Sequence, residues 1–154
     1  MHPHVDRQVY LLIEDQRTWL RQSGKSFVDA SPESVWATVG DFAGGAQRIA
    51  PGVFVDCRVD EGDVRALTFA DGKIVRERLI ARDEQRRRIV WGWLGDEVTH
   101  DNTSMQVFAE GEGRSRLVWI HDTLPDELGA WLAAAMDQLV PVFQQTLASQ
   151  AKPT

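Results

Sequence analysis

The chain has 154 residues, with 17 Lys and Arg against 23 Asp and Glu, six Trp and a net charge of −6. That length makes one domain and buries on the order of two-thirds of the unfolded surface. The acidic balance excludes non-specific nucleic-acid binding and charge-driven docking on an anionic membrane, both of which need a basic surface.

The N-terminus reads Met-His-Pro-His-Val-Asp-Arg, without the basic and apolar regions of a signal peptide. No apolar run approaches the roughly 18 residues of a bilayer span, so no membrane insertion is expected. Val5, Val9, Leu12, Ile13, Trp19 and Leu20 approximate a 3.6-residue stripe, which predicts a helix over Val5–Gln22, stopped by Ser23-Gly24. Its apolar face would pack on its own domain, on a second copy in a homodimer, or on both. Residues 1–24 therefore read as an N-terminal helical extension and residues 25–150 as the domain proper.

A short strand is expected at Ser26–Ala30. Ser31-Pro32-Glu33-Ser34 then opens a helix, with Ser31 as N-cap and Pro32 at the first helical position. Gly40 closes it, and a second short helix runs to about Ile49, ended by Pro51. From Val53 to Thr123 strand follows strand: Val53–Val59, Val64–Phe69, Ile74–Ala81, Arg88–Leu94, Val98–Ala109 and Arg114–Thr123. Short turns at that spacing signal an antiparallel meander. A long helix over about Asp126–Gln150 ends the pattern, interrupted by Pro141, which should kink or locally unwind it. Strands with one long helix make an α+β architecture.

The central hairpin decides which side chains turn inward. Ala70-Asp71-Gly72 suits a three-residue loop with Gly72 in the left-handed region, whereas a two-residue loop would flip one strand against the other. With three residues, Leu67 faces Val75 and Arg65 faces Glu77, and these share a face with Phe69 and Leu79. Gly111-Glu112-Gly113 supports the same loop, which pairs Met105 with Trp119, Thr103 with His121 and Asp101 with Thr123. The inner face then holds Arg65, Glu77, Asp101, Thr103 and His121 among Leu67, Phe69, Val75, Met105 and Trp119. Met136 and Phe143 of the long helix lie across from it. Mostly apolar walls with a few convergent polar groups are the profile of a ligand site.

Val35-Trp36, Gly40-Asp41-Phe42, Arg65-Ala-Leu-Thr68, Asp71-Gly72, Glu77-Arg-Leu79, Asp83, Gly111–Ser115 and Val118-Trp119 fall in an order that resembles the START-like superfamily. The likeness covers about Lys25 to Ala148 and is nearest to the polyketide cyclase/dehydrase-like branch. It implies the helix-grip fold: a curved seven-stranded antiparallel sheet around the C-terminal helix, with two short helices after the first strand. Here an extra N-terminal helix is added. It also implies a small lipophilic or aromatic molecule held between sheet and helix, bound only or turned over by ring closure, dehydration or hydrolysis. Glu77-Arg-Leu79 is similar to a strand motif of the plant abscisic acid receptors. Their gate-loop sequence is missing, so no hormone-receptor role follows.

Two functions remain open at this point, and a third reading denies both. In the first, the chain binds a small lipophilic molecule over a polar floor of Arg65 and Glu77. In the second, a cyclase or dehydratase uses Glu77, Asp101 or His121 as acid–base groups. In the third, Trp, Phe and Met side chains fill the cavity and the domain is an interaction module. Each polar residue also has a purely structural reading: a cross-strand pair for Arg65 and Glu77, a solvated loop carboxylate for Asp101, an inert sheet-end histidine for His121. The Trp residues read first as core, and Arg86–Arg88 as a solvated turn. Cys57 is the sole cysteine, and His2, His4, His100 and His121 lack metal-ligand spacing with it. No metal and no cofactor is expected, and a reducing cytoplasmic setting is.

Overall fold

The computed structural model describes residues 9–12 and 27–151. Among them eight strands form one antiparallel sheet: β1 (Val9–Leu12), β2 (Phe27–Val28), β3 (Phe54–Glu61), β4 (Val64–Phe69), β5 (Ile74–Asp83), β6 (Arg88–Leu94), β7 (His100–Ala109) and β8 (Ser115–Leu124). Helices α1 (Pro32–Val39) and α2 (Gly45–Ile49) lie between β2 and β3, and α3 (Gly129–Gln150) follows a 3-10 turn over Asp126–Leu128. Strands β3 to β8 pair each with the next. The outer edge of β8 is shared by β2, at Ser115 and Arg116, and by β1, at Ile120–Thr123. This is the α+β helix-grip arrangement implied by the sequence, with β1 as an eighth strand.

The N-terminal helix expected over Val5–Gln22 is corrected where the structure describes it. Val9–Leu12 is a strand, with Val9 opposite Thr123 and Leu12 opposite Ile120. The β2 pairing is only two residues long and leaves the C-terminal half of β8 an open edge, whose backbone groups demand partners. Val-Tyr-Leu-Leu also has strand composition, and pairing overrides an approximate helical stripe. The rest of Val5–Gln22 lies outside the described residues.

Both hairpin loops have the three-residue form. At the first, Phe69 N–H donates to the Lys73 carbonyl at 2.8 Å, Gly72 has φ +90°, and Arg65 stands opposite Glu77. At the second, Glu110 N–H donates to the Arg114 carbonyl at 3.0 Å, Gly113 has φ +66°, and Thr103 stands opposite His121. Burial along β5 alternates accordingly: Val75, Glu77 and Leu79 are half-buried, while Ile74, Arg76, Arg78 and Ile80 are exposed. Bulges break the register in β3 at Phe54/Asp56 and Val59/Glu61, and in β5 between Leu79 and Ala81; such bulges bend and twist the strands that carry them.

Helix α3 buries Leu132, Met136, Val140, Phe143 and Leu147, one stripe at helical spacing, and runs on through Pro141. Its C-terminal end is tied to the helix pair by Gln150, which accepts from Thr38 Oγ1 at 2.8 Å and donates to the Arg48 carbonyl at 3.0 Å. At α1 the Ser31 hydroxyl accepts the Ser34 N–H at 3.2 Å, the capping bond expected of that sequence. The turn into α2 depends on Gly45: a Cβ there would lie well inside contact distance of the Thr38 carbonyl oxygen. Replacing a helical Gly by Ala ordinarily stabilises by up to about 1 kcal/mol. Here the clash with backbone should win, and Gly45→Ala should destabilise by roughly 1–3 kcal/mol, read as a lower urea midpoint at unchanged slope. A higher midpoint would mean that α1 and α2 are not tightly apposed.

Candidate functional site

Between the sheet, the α1–α2 pair and α3 lies an apolar cavity of about 70 Å³. The sheet contributes Phe54, Arg65, Leu67, Ile89, Trp91, Met105 and Trp119. Helix α1 and the turn after it add Thr38, Val39 and Asp41, α2 adds Gly45, Ala46 and Ile49, and α3 adds Leu139 and Phe143. The Trp119 and Phe143 rings pack at 5.2 Å across it. Of the residues expected at a ligand, Arg65, Leu67, Met105, Trp119 and Phe143 line the cavity. Phe69 instead packs edge-on against Phe54 at 5.0 Å, Val75 is half-buried on β5, and Thr103 and Met136 are buried. The volume is well below the ~300 Å³ of a usual small-molecule pocket, because Trp91, Trp119, Met105, Leu139 and Phe143 occupy most of the gap.

The one charged side chain buried in the cavity wall is Arg65, 6% exposed. Its partner Glu77, directly opposite on β5, is 14% exposed; Oε2 accepts from Arg65 Nε at 2.8 Å and lies 2.6 Å from Nη2. The second carboxylate oxygen, Oε1, accepts the Trp91 indole N–H at 3.1 Å. Arg65 Nη1 donates to the Phe42 carbonyl at 3.0 Å, and its guanidinium lies 4.4 Å from the Phe42 ring centroid and 5.2 Å from that of Trp91. These bonds leave one N–H on each of Nη1 and Nη2 without a partner among the described residues. Replacing such a pair by apolar residues is often neutral or stabilising, so its presence is weak evidence of a folding role. Sequence alternation turns Arg65 and Glu77 inward, but the roles of Phe42 and Trp91 are set by the docking of the α1–α2 turn and by the β5–β6 register.

A second polar cluster lies on the same concave face, outside the cavity wall. The Asp101 side chain is 1% exposed. Its Oδ1 is 2.6 Å from His121 Nε2 and accepts from the Thr123 hydroxyl; its Oδ2 accepts the Trp93 backbone N–H at 2.8 Å and the Thr103 hydroxyl at 3.4 Å. The β6–β7 ladder ends at Trp91 opposite Thr103, and the carboxylate takes the N–H that the next rung would have used. Burial pushes the Asp101 carboxyl up. The hydrogen bond and charge of His121, the Thr123 hydroxyl and the Trp93 N–H together outweigh it and hold the group below the ordinary carboxylate range. His121 Nδ1 is fully covered and has no partner among the described residues. The structure thus joins Asp101, Thr103 and His121 in one cluster and Arg65 with Glu77 in another.

The architecture is that of a START-like helix-grip protein. The chain belongs to the polyketide cyclase/dehydrase and lipid transport family, whose model matches residues 22–152. No curated protein sequence matches it significantly. Its fold is similar to that of an uncharacterized protein from Bacillus thuringiensis, at 19% identity and TM-score 0.70 over 92% of this chain and 98% of that one. It is also similar to the Zhui aromatase/cyclase of a Streptomyces species, at 21% identity and TM-score 0.63 over 94% and 93%. A START superfamily protein from Mycobacterium smegmatis matches at 14% identity and TM-score 0.63 over 94% and 96%. At these identities the structural likeness speaks for the fold. Among the described residues no helix is long and apolar enough to cross a membrane.

Two outcomes follow from the buried charges. Glu77→Ala strands the Arg65 guanidinium and should cost about 3–5 kcal/mol, whereas the double variant Arg65→Met with Glu77→Leu should recover most of it; urea unfolding of the three proteins measures both. For Asp101, the folded state binds the proton more weakly than the unfolded chain. Its contribution to stability is therefore complete above the ordinary value near ~3.9 and is lost as pH falls through the lower folded value. Asp101→Asn should flatten the stability–pH slope below about pH 5; an unchanged slope would show that the carboxylate gains nothing from its four donors.

Proposed function

We propose that the chain binds a small lipophilic molecule between the sheet and α3, with Arg65 fixing its orientation. One observation carries this: a guanidinium with two N–H groups uncommitted among the described residues stands in a mostly apolar cavity wall. A carbonyl, enol or carboxylate oxygen on the ligand would accept from those groups, while Trp91, Trp119, Met105 and Phe143 take its hydrocarbon body. Glu77 holds the guanidinium in place and offsets its charge, so the site favours a polarised oxygen over a bare hydrocarbon. The family description, polyketide cyclase/dehydrase and lipid transport, names activities on molecules of this kind.

A ligand larger than a few water molecules requires the lining to open. The side chains that occupy the gap include Met105 and Leu139, whose rotamers adapt more readily than a β-branched wall.

A second reading, an enzyme of cyclase or dehydratase type, is favoured by the Asp101–His121 pair. A buried carboxylate bonded to an imidazole is the kind of acid–base pair that moves a proton to or from a carbonyl substrate. Glu77, whose two oxygens are already engaged by Arg65 and Trp91, is the weaker acid–base candidate.

Thermal unfolding with a panel of aromatic ketones and acids tests the binding reading. A true ligand at a hundred times its Kd should raise Tm by about 5–10 °C, and the Arg65→Met/Glu77→Leu protein should bind it about tenfold more weakly. If no compound stabilises the wild type, the cavity is simply core. Where a bound ligand is turned over, Glu77→Gln and His121→Phe identify the proton-transfer group; binding without turnover leaves the binder reading standing.

A further inference from the structure

We infer that β3 pairs edge to edge with the same strand of a second copy of the chain, antiparallel and centred on Cys57, so that two domains share one continuous sheet. The inference does not depend on what the cavity holds. Among the described residues the sheet ends at β3 on one side. The opposite edge, that of β8, is taken up by β1 and β2, whereas no described strand pairs with the outer side of β3. Arg58, Val59, Asp60 and Glu61 are all exposed there. An unpaired strand edge is a template for another strand.

The register follows from which backbone groups face outward. Phe69 N–H donates to the Lys73 carbonyl, on the β5 side of β4, and Ala70 N–H donates to the Val53 carbonyl, on the β3 side. Directions alternate along a strand, so Thr68 and Ala66 turn to β3, while Leu67 and Arg65 turn to β5. Asp56 and Arg58, opposite Thr68 and Ala66, therefore spend their main-chain groups on β4. Cys57 and Val59 point theirs outward. The regular stretch Asp56–Val59 lies between the two bulges. Setting Cys57 against Cys57 of the second copy places Asp56 opposite its Arg58 and Val55 opposite its Val59. Asp56 already lies 3.0 Å from Arg58 of its own chain, so the two copies close a ring of alternating charges. Val55 and Val59, 48% and 40% exposed, cover each other. Centring the pair on Asp56 or on Arg58 would put like charges directly opposite, which destabilises. Charges on an edge ordinarily discourage pairing. Here their signs are self-complementary about Cys57, so they reject those registers and favour this one. Directly opposed residues share a face, so both cavities lie on the same side of the joined sheet. Val59 stands opposite Arg65, which brings the contact to within one strand of the buried guanidinium.

Sedimentation of the full chain from micromolar to millimolar concentration tests the pairing. The wild type should pass from monomer to dimer. Asp56→Arg and Arg58→Asp each create two like-charge contacts by symmetry and should weaken the dimer about tenfold. The double variant Asp56→Arg/Arg58→Asp restores opposite charges and should dimerise nearly as well as the wild type. Amide exchange of the wild type supplies a second readout that needs no variant. The Cys57 and Val59 amides should become protected as concentration rises, while Asp56 and Arg58, bonded to β4, should be protected throughout. A chain that stays monomeric at millimolar concentration would overturn the inference. So would single variants that dimerise like the wild type, a double variant that does not recover, or Cys57 and Val59 protection independent of concentration, the mark of an edge covered within the monomer.

Discussion

A guanidinium removed from water must be answered on every side, and Arg65 is answered by a carboxylate, a main-chain carbonyl and two aromatic faces. Each answer comes from a different part of the chain. Glu77 arrives through the β4–β5 hairpin, Phe42 through the turn between α1 and α2, and Trp91 through β6. Such a pair is weak evidence of stability, because desolvation consumes most of the Coulombic gain. What it does is commit those elements to one relative arrangement and leave two N–H groups without a partner among the described residues.

The same logic explains why the concave face holds two polar clusters rather than one. Arg65–Glu77 lies on β4–β5 and Asp101–His121 on β7–β8, at the two sides of the sheet that grips α3. Both carboxylates are saturated with donors. The Trp119 indole N–H and His121 Nδ1 are covered and without partners among the described residues.

Much of this was legible in the residues. Gly72 and Gly113 sit where a three-residue loop requires positive φ, and that alone fixed two registers and hence which side chains share a face. The pairs Arg65–Glu77 and Thr103–His121 follow from counting back from those loops. Three things could not be read. Val9–Leu12 has a helical stripe but becomes a strand because β8 offers an unpaired edge, a fact about tertiary structure. The second and third walls of the cavity, with Thr38, Ile49 and Leu139, depend on how α1, α2 and α3 dock, which alternation along strands does not encode. The burial of Asp101 depends on where the β6–β7 ladder stops, and a carboxylate beside His100 at the end of a strand carries no local sign of it.

The account stands or falls on whether the space above Arg65 admits a guest. The side-chain resonances of Arg65 Nε and the Trp91 indole report this directly when 1-naphthoic acid is titrated into the protein. The account predicts that both move together and saturate, with the largest changes at residues lining the cavity. Shifts confined to exposed positions such as Trp131 and Ile74, with Arg65 and Trp91 unmoved, would contradict it and leave a helix-grip domain with a closed core.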